Sequence, residues 1–596
     1  MSSDVSAPLA TLASSTCSSV DLLIAGGGMA GVMAALAAKT PHNRVLLVEP
    51  SNVLGGQGTT GGVAGFCGDS VRVNDEFAQL VAKLSEYGLI EPYRPNDDRR
   101  AYDLEWCAFF LQEMLVERGI EVLLLSRVIA ATAMEGRITQ VTLSTSGGLM
   151  TVAPRFAIDA SGACVLPLLT GFPCVHEGAN RQLPMSLYFT LWDTGRPVRP
   201  VLPEGCPQWK NDTEIPMTSL HRFPSGKVEV KMKVVGFDAA DGASRSAAEI
   251  FARRQMHGLI YYLQTVGYRS RKLDTHVLAS VSRSIGIREE RRIVGEHVLT
   301  EEEARRAVIF PDAVAVNTYH IDFHWPDRMQ RAGTGITDML DPHHLPLSMM
   351  IPKGAKNLLV AGRGASGDQT AMSAYRVMAV VAQMGYAAGH AARLCLEDDV
   401  PLSRIDLPRL QAAIEGGGQS LDLSHYGDYL RYDLFTHELA VPAVKAKSLH
   451  LITLRNAGFR AVWRDSAGVI GKAARFQKQW SSPTVGTDTE LPADANSADE
   501  TRLPLLDGDV ARVWVEDESL FAAVSRDGGR TFSAQRKLTG GVDALVVPAA
   551  VATRVGLACL YAALDGTLRF WHGSIDRITL GPPAPAAARL DAPPDL

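Results

Sequence analysis

The stretch "DLLIAGGGMAGVMAALAAKTPHNRVLLVEPS", residues 21–51, decides the fold of this chain. It begins with "DLLIA", a short apolar run suited to a buried parallel strand. Gly26, Gly28 and Gly31 then form the pattern GxGxxG, and the segment after them has the composition of a helix. A second apolar strand, "RVLLVE", ends at Glu49. Strand, glycine turn, helix, strand and terminal acid in this order predict a dinucleotide-binding α/β unit.

Each glycine of the motif has a separate physical role. Gly26 permits the tight turn, Gly28 lets the backbone approach a pyrophosphate, and Gly31 lets the helix lie close to the strand. The start of the helix offers free N–H groups and a positive dipole end to the phosphates, and Glu49 can accept both hydroxyl protons of a ribose. The contacts predicted for this unit are Gly26, Gly27, Gly28, Met29, Ala30, Gly31, Glu49 and Pro50.

A GxGxxG pattern alone is weak evidence, because "GRGASG" at 362–367 also matches it. That second match is followed by a helix but by no strand ending in an acid, so only the first is interpreted as a dinucleotide fold. Directly after the first unit comes another glycine-rich loop, "LGGQGTTGGVAGFCGD", residues 54–69. Its glycines allow backbone to lie against a large flat ligand, which favours FAD over a nicotinamide dinucleotide.

Composition narrows the class of protein. The 596 residues carry a net charge of −6, which gives no electrostatic footprint for nucleic acid. The eight cysteines are scattered without a CxxC pair, as expected for reduced thiols in a cytoplasmic protein. The apolar segment "VMAVVAQMGYAAGHAARL" is interrupted by Gln383, Gly385 and His390, so it predicts a buried helix and no membrane span.

Five stretches resemble the FAD-dependent oxidoreductases related to the flavoprotein subunits of succinate dehydrogenase and fumarate reductase. They are "LIAGGGMAGVMAALAA" with Glu49, "LGGQGTTGG", "FAIDASG", "SIGIREERRIVGEHVLTEEE", and "LPLSMMIPKGAKNLLVAGRGASG" with "SAYRVMAVVAQMGYAAGHAA", and they span about residues 20–420. The resemblance implies an enzyme with FAD as cofactor that transfers a hydride between flavin N5 and a small-molecule substrate. An electron acceptor, oxygen or another molecule, is a second expected partner, and the sequence allows an oligomer.

The expected fold is α/β: a Rossmann-type FAD-binding domain with an inserted β-rich substrate domain, plus a small C-terminal β module. The expected segments are a disordered leader (1–19), the FAD-binding domain in two parts (20–175 and 311–420), the inserted domain (176–310), a helical extension (421–480), a linker (481–503) and the β-rich module (504–596).

Further cofactor contacts follow from the resemblance, residue by residue. They are Gly56, Gln57, Gly58 and Thr59 beneath the flavin, Val128 at the adenine, Ser161 and Gly162 in a second FAD turn, and Gly362, Arg363 and Arg376 at the last flavin contact. Succinate and fumarate enzymes place a histidine in the loop after the ribose acid. That loop has none here, so covalent attachment by that route is not expected, and Cys67 is interpreted as a small buried thiol.

The segment "AVNTYHIDFHWP" holds the best candidates for proton transfer, His320, Asp322 and His324. On a strand these alternate residues share one face, and two imidazoles beside a carboxylate can relay a proton near neutral pH. The alternatives are a polar cluster that satisfies itself and a metal site. No further ligand is evident, so no metal is expected.

The charged run "GIREERR" predicts an ion-paired helix face from which Arg288 turns inward as an anion clamp for a carboxylate substrate. Two other functions stay open at this point. One is a flavin-dependent monooxygenase or halogenase-like enzyme, although no GxWxxxxP-type signature is present. The other is a non-catalytic flavoprotein whose tail binds a polymer or a partner.

Overall fold

The computed structural model describes most of the chain. The described residues are 17–93, 99–223, 226–269, 271–329, 335–338, 340–423, 425–426, 446–454, 458–465, 467, 469–476, 479–480, 484–485, 500–504, 510–527, 529–533, 535–543, 546–552, 556–564 and 567–574. They form two compact units. The first covers the described residues up to Glu301 with Ile309–Thr337 and His344–Leu421, and the second covers Glu302–Val308, Asp338–His343 and the described residues from Asp422 onward.

The first 421 residues contain both strands and helices. The strands are β1 (Ser18–Ala25), β2 (Val45–Val48), β3 (Gly65–Phe66), β4 (Arg100–Ala101), β5 (Glu121–Leu123), β6 (Arg127–Met134), β7 (Arg137–Thr145), β8 (Gly148–Asp159), β9 (Cys174–Val175), β10 (Met185–Asp193), β11 (Thr218–Arg222), β12 (Val228–Val234), β13 (His276–Val281), β14 (Arg292–Ile293), β15 (Ala313–Asn317), β16 (Ile321–His324), β17 (Gly335–Asp338), β18 (His343–Pro346) and β19 (Leu358–Val360). The helices are α1 (Met29–Ala38), α2 (Asp75–Glu86), α3 (Leu104–Glu117), α4 (Val165–Thr170), α5 (Gly242–Thr265), α6 (Glu301–Arg306), α7 (Gln369–Tyr375), α8 (Met378–Asp398) and α9 (Leu407–Gly416), with 3-10 turns at Gly56–Gly58, Leu347–Met350 and Leu402–Arg404.

The main sheet of the first unit has the strand order β5-β2-β1-β8-β7-β6, and β19 also pairs with β8. Strand β1 runs parallel to both β2 and β8, so that Leu22 pairs with Val45 on one side and Phe156 on the other. Its apolar run is buried because both faces of the sheet are covered, one of them by α1. The predicted α/β fold with a Rossmann-type parallel core is confirmed.

Helices α1 and α8 pack backbone against backbone. A Cβ atom at Gly385 would lie 2.0 Å from the carbonyl oxygen of Ala30, and one at Gly389 would lie 2.3 Å from that of Ala34. The two glycines, one helical turn apart on α8, therefore set the distance between the helices. This contact buries the segment that the sequence analysis interpreted as a core helix.

The helical region from Gln369 to Asp398 is divided into two helices. Helix α7 ends at Tyr375, Arg376 follows it, and Val377 has extended backbone with φ −78° and ψ 154° before α8 begins. The interruption matters for the site, because it brings Arg376, Val377 and Met378 into the wall of the central cavity.

The segment expected to be an inserted domain contains a four-stranded antiparallel sheet in the order β11-β12-β10-β13. Helix α5, 24 residues long, packs on it through Ala248, Ala252, Met256, Leu259 and Leu263. This helix was not predicted from the sequence, although those five residues recur at the helical spacing of three or four.

The described residues of the second unit from 446 onward are strands. They are β20 (Ala446–Leu454), β21 (Gly458–Asp465), β22 (Ile470–Phe476), β23 (Gln479–Trp480), β24 (Thr484–Val485), β25 (Glu500–Pro504), β26 (Val510–Glu516), β27 (Ser519–Ser525), β28 (Arg536–Gly540), β29 (Ala549–Ala552), β30 (Gly556–Ala562) and β31 (Leu568–Ser574). They form sheets in the orders β20-β21-β22-β23, with β24 beside β22, then β25-β26-β27-β28, and β29-β30-β31.

Two expectations about this part of the chain need correction. The helical extension over 421–480 is wrong for 446–476, because Leu449 and Leu451 alternate with polar neighbours and are buried on one face of β20. Within the expected linker, 484–485 and 500–503 belong to strands, and the rest of it lies outside the described residues. Most of the expected leader, 1–16, also lies outside them, and β1 begins at Ser18.

Candidate active site

A cavity of about 850 Å³ opens at the carboxyl ends of β1 and β8, where nucleotides bind in folds of this kind. It runs from the glycine turn after β1 to a group of polar and charged side chains that includes residues of β10, β12 and β16. Most of the predicted cofactor contacts line it. They are Gly26, Gly28, Met29, Ala30, Glu49, Pro50, Gly56, Gln57, Val128, Ser161, Gly162, Gly362, Arg363 and Arg376.

The three glycines of the first turn differ in what surrounds them. Gly26 has φ +105°, and a Cβ there would lie 2.6 Å from the carbonyl oxygen of Ala160. A Cβ at Gly31 would lie 1.9 Å from the carbonyl oxygen of Gly26. At Gly28 the nearest atom would be 4.0 Å away, the Cα of Gly56. The protein itself therefore requires Gly26 and Gly31, whereas the space beside Gly28 is left open toward the cavity.

The carboxylate of Glu49 is held at the end of β2 by two backbone donors. The N–H of Gly27 donates to its Oε2 at 2.7 Å, and the N–H of Ser51 donates to its Oε1 at 2.8 Å. Glu49 is buried and lines the cavity beside Pro50 and Val128. Gly27 does not line the cavity, and it acts here by orienting the acid.

The second glycine-rich loop folds back on the first. The N–H of Gly55 donates to the carbonyl of Gly27 at 2.8 Å, and Gly56 has φ +55°. Gly56 and Gln57 line the cavity, but the predicted contacts Gly58 and Thr59 turn away from it. The Tyr102 hydroxyl donates to the carbonyl of Gly58 at 2.8 Å, and the Thr59 hydroxyl donates to that of Leu54 at 2.5 Å.

A third loop meets the cavity after β8. The carboxylate of Asp159 accepts from the backbone N–H of Ser161 at 2.9 Å and from its hydroxyl at 2.6 Å. Gly162 has φ +68°, and a Cβ there would lie 2.5 Å from the Cζ of Arg363. The buried Nε of Arg363 has no acceptor within the described protein. Gly28 and Arg363 line the same cavity, and an unpaired guanidinium N–H in its wall fits the diphosphate of a dinucleotide.

The far end of the cavity is rich in cations. The side chains that line it there are Cys67, Arg99, Tyr188, Lys231, Arg288, Tyr319, Asp322 and Arg376. Arg288 donates through Nη1 to the carbonyl of Pro184 at 2.7 Å and to the hydroxyl of Ser186 at 2.8 Å. Burial and the neighbouring Arg376 lower the pKa of Arg288, and burial raises the pKa of the Cys67 thiol.

The helix expected around Arg288 is absent. Residues 286–291 are irregular, Arg292 begins the short strand β14, and most of this segment is buried. Glu289 accepts from the backbone N–H of Leu183 at 2.7 Å and pairs with Arg292, which also pairs with Glu177 at 2.8 Å. These charged side chains therefore pair with one another inside the protein and hold the loop in place. Arg288 lies in the cavity wall, which is the inward position expected for it.

Asp322 is the member of the predicted proton relay that lines the cavity. It joins Nη2 of Arg376 at 2.8 Å to Nε2 of His324 at 3.0 Å. Burial opposes ionisation of Asp322, but His324 and Arg376 hold its pKa well below the ordinary value. Burial lowers the pKa of His324 to about 4, so near neutral pH its imidazole is neutral and donates to the carboxylate.

Neither predicted catalytic histidine lines the cavity. His324 lies behind Asp322, and the buried ring of His320 lies 4.0 Å from the ring of Tyr319. The geometry thus supports His324 as a positioning residue. His343 and His344 lie in β18 and are buried.

Four residues of the far end were missed by sequence reasoning: Arg99, Tyr188, Lys231 and Tyr319. Arg99 pairs with Glu229 of β12 at 2.7 Å, and Lys231 lies two residues further along that strand. The alternation in "KVEVKMKVV" was a usable signal for one polar strand face. An alternating strand usually turns that face to water, so the pattern alone did not indicate a cavity.

Cavity and fold define a dinucleotide-binding α/β protein. A model of the family described as FAD dependent oxidoreductase matches residues 21–414. The chain belongs to this family, its cofactor is FAD, and it is an enzyme that acts on a small-molecule substrate. A search of the curated proteins finds no match.

Several solved structures match the chain at low similarity. A geranylgeranyl bacteriochlorophyll reductase-like protein from Thermoplasma acidophilum is 12% identical, with 70% of this chain and 87% of that chain covered and a TM-score of 0.39. A myxobacterial chondrochloren halogenase is 16% identical, with 69% and 83% covered and a TM-score of 0.39. A flavoprotein/dehydrogenase from Cytophaga hutchinsonii is 14% identical, with 69% and 88% covered and a TM-score of 0.34. In the part of this chain that the structure describes, no helix has both the length and the apolar character needed to cross a bilayer.

Proposed function

We propose that the chain transfers a hydride between FAD and a small organic anion bound at the cationic end of the cavity. One observation carries the proposal: a single cavity joins the open glycine turn at Gly28 to the group of Arg99, Arg288 and Arg376. A dinucleotide that begins at the glycine turn and extends along the cavity would present its reactive ring to those cations.

The cofactor would be held by residues along the first part of the cavity. The backbone at Gly28, Met29 and Ala30, at the positive end of α1, would meet the diphosphate together with Arg363. Glu49 would accept hydroxyl protons of the ribose, and Val128 would border the adenine. Closer to the substrate end, the contacts would be Gly56, Gln57, Ser161, Gly162, Gly362 and Arg376.

The charge balance at the far end favours an anionic substrate. Arg99, Lys231, Arg288 and Arg376 face the cavity there, and Asp322 is the acid among them. Arg99 is already paired with Glu229 and Arg376 with Asp322, so Arg288 has the least compensated guanidinium of the three arginines. A substrate carboxylate placed before Arg288 would neutralise the charge of its guanidinium. In a buried site such a pair distinguishes a carboxylate from a neutral group most strongly.

When bound, FAD accepts or donates two electrons as a hydride at its N5 atom. The protein contributes position, charge and exclusion of water. Arg288 is fixed by two acceptors on neighbouring backbone and side chain, so a bound carboxylate would be oriented without further ordering of the guanidinium. The pair of Asp322 with Arg376 holds the second wall of the same pocket.

The test is anaerobic bleaching of the flavin by a panel of 2-hydroxy acids, 2-amino acids and dicarboxylates, each paired with its methyl ester. We expect the acids to bleach the flavin and the esters to fail. Arg288→Gln should lower kcat/KM for the active acid roughly 30-fold or more, the cost of removing one partner of a buried charge pair. Arg222→Gln, at the exposed end of β11, is the matched control and should change little. Equal bleaching by acids and esters, or no effect of Arg288→Gln, would contradict the anion site.

A further inference from the structure

Lys231 differs from the arginines at the far end of the cavity, because no contact described above holds its amine in place. It lies in the middle of β12, opposite Tyr188 of β10 and Ser219 of β11, and its side chain lines the cavity. The described residues offer it no hydrogen bond and no ion pair. By contrast, Arg99, Arg288 and Arg376 each donate to a fixed acceptor.

We propose that Lys231 is the base that removes the proton from the substrate during oxidation. The inference rests on the proposed function and extends it to the substrate class, an anion that carries a hydroxyl or amino group on the carbon to be oxidised. When the reacting carbon bears such a group a base is needed, because the O–H or N–H proton must leave as the double bond forms.

The step balances in atoms and electrons. The C–H bond of the substrate breaks and its electron pair leaves as a hydride to the oxidised flavin. The O–H or N–H bond breaks at the same carbon, its electron pair forms the C=O or C=N bond, and its proton passes to the neutral amine of Lys231. Lys231 becomes an ammonium and returns the proton to water after the product leaves.

The surroundings of Lys231 make this chemistry available near neutral pH. Burial, and after it the positive charge of Arg288, lower the pKa of Lys231 to about 8, although the carboxylate of Asp322 opposes both effects. An amine with this pKa is partly neutral at pH 7 to 8, where a proton acceptor is most effective. The charged and titratable groups around it are Tyr188, Arg99, Arg288, Asp322, Arg376, Lys233, Glu229, His324, Tyr319 and Cys67.

The next lysine on the strand shows why Lys231 is the base rather than any buried lysine. The Nζ of Lys233 donates to the carbonyl of Trp325 at 2.9 Å, and Lys233 does not line the cavity. Its amine is directed at the protein, while that of Lys231 is directed at the space where substrate binds.

One experiment needs no substrate. The FAD-loaded enzyme is treated with an amine-acetylating reagent from pH 6 to 10, and peptide mass spectrometry follows the labelling of Lys231 and of the exposed Lys353 in the same sample. We expect labelling of Lys231 to rise with a midpoint near pH 8 and well below that of Lys353. A midpoint equal to that of Lys353 would overturn the inference and leave the proposed function intact.

The second experiment uses whichever 2-hydroxy or 2-amino acid bleaches the flavin. In wild-type enzyme the limiting rate of flavin reduction should rise with pH through about 8. Lys231→Met should lower it about 10²- to 10⁴-fold and remove that rise. Added methylamine should restore part of the rate, and Lys231→Arg, which keeps the charge but cannot lose a proton at this pH, should remain slow.

Lys227→Met, at a lysine paired with Asp103 outside the cavity, is the matched control and should reduce its flavin like wild type. A Lys231→Met enzyme that binds FAD and keeps the wild-type rate and pH profile would overturn the inference. If none of the acids bleaches wild-type flavin, the proposed function fails and the inference falls with it.

Discussion

Asp322 and Arg376 form an ion pair of 2.8 Å in the wall of the cavity, between two elements that lie 54 residues apart in sequence. Asp322 belongs to β16, and Arg376 lies in the interruption between α7 and α8. The pair therefore links β16 to the start of α8 in the wall of the cavity. Its side chains are 23% and 12% exposed, and both line the cavity.

Replacing Asp322 by Asn should destabilise the first unit, because Arg376 would keep its charge in a buried site without a counter-ion. Breaking such a pair on one side costs about 3–5 kcal/mol. We expect the thermal unfolding midpoint of the first unit to fall by several degrees, measured by calorimetry on the FAD-loaded protein. Asp327→Asn, which removes a surface acid 3.9 Å from Arg328, is the control and should lower stability by less than about 1 kcal/mol.

Gly28 and Gly31 should fail in different ways when each is replaced by Val. At Gly28 a side chain meets open space within the protein, so Gly28→Val should fold and lose FAD. At Gly31 the new Cβ would meet the carbonyl oxygen of Gly26 at 1.9 Å, so Gly31→Val should disrupt the turn and the packing of α1.

The measurements are flavin absorbance of the purified proteins and the thermal unfolding midpoint of their FAD-free forms. The prediction requires a colourless but stably folded Gly28→Val protein, with its FAD-free midpoint close to that of FAD-free wild type. A yellow Gly28→Val protein would show that the diphosphate of FAD does not bind beside Gly28.

The part of the site between β1 and Glu49 could be predicted because its elements are neighbours in sequence. The elements from β1 to Glu49 follow one another within 32 residues, and each has its own signal: an apolar run, a glycine pattern, a helix and a terminal acid. The same holds for the meander β6-β7-β8, whose turns carry glycine at 136 and 148 with φ +80° and +108°. Such features depend on neighbours in sequence and can be derived without the tertiary fold.

The substrate end could be derived only in part, because its residues come from distant segments. Asp322 and Arg288 were predicted from their local patterns, but Arg99 and Lys231 were not. Arg99 lies in a loop and Lys231 in β12, and each is surrounded in sequence by residues typical of an ordinary surface loop or strand. Their burial arises only when the sheet of β10 and β12 meets the main domain. For the same reason the run "GIREERR" indicated an ion-paired helix face. In the structure Glu289 of this run accepts a hydrogen bond from the buried backbone N–H of Leu183 and pairs with Arg292.

Gly385 should be sensitive to any side chain. A Cβ at this position would lie 2.0 Å from the carbonyl oxygen of Ala30 and 2.7 Å from its Cα, both of them backbone atoms in the middle of the α1–α8 contact. Gly385→Ala should therefore lower the thermal unfolding midpoint and weaken FAD binding, because α1 carries the residues of the glycine turn. This result would run against helix propensity, which favours Ala over Gly by about 1 kcal/mol.

Gly416→Ala is the matched control, since Gly416 ends α9 and a Cβ there meets no atom within 4 Å. It should leave the midpoint unchanged or raise it slightly. If Gly385→Ala behaves like Gly416→Ala, the close contact between the two helices is not what sets their distance.

His390 should make the protein less stable in acid. It is a buried residue of α8 whose ring lies 4.6 Å from that of Tyr386, and Arg393 donates to its Nδ1 at 3.0 Å. Burial and then the charge of Arg393 lower its pKa to about 4, below the value of about 6.5 for an unfolded chain. Between these two values the unfolded chain binds a proton that the folded chain does not. Stability is therefore lost as the pH falls from about 6.5 to 4, by about 1.4 kcal/mol per pH unit.

His390→Gln removes this proton, so the unfolding midpoint of the variant should fall less steeply than that of wild type between pH 6.5 and 4. At pH 7.5, where the imidazole is neutral in both states, the variant shows only the cost of lost packing, which serves as the reference. Arg393→Gln keeps the imidazole but removes the neighbouring charge, and its slope should lie between the other two. Identical slopes for wild type and His390→Gln would show that His390 is protonated equally in the folded and unfolded chains.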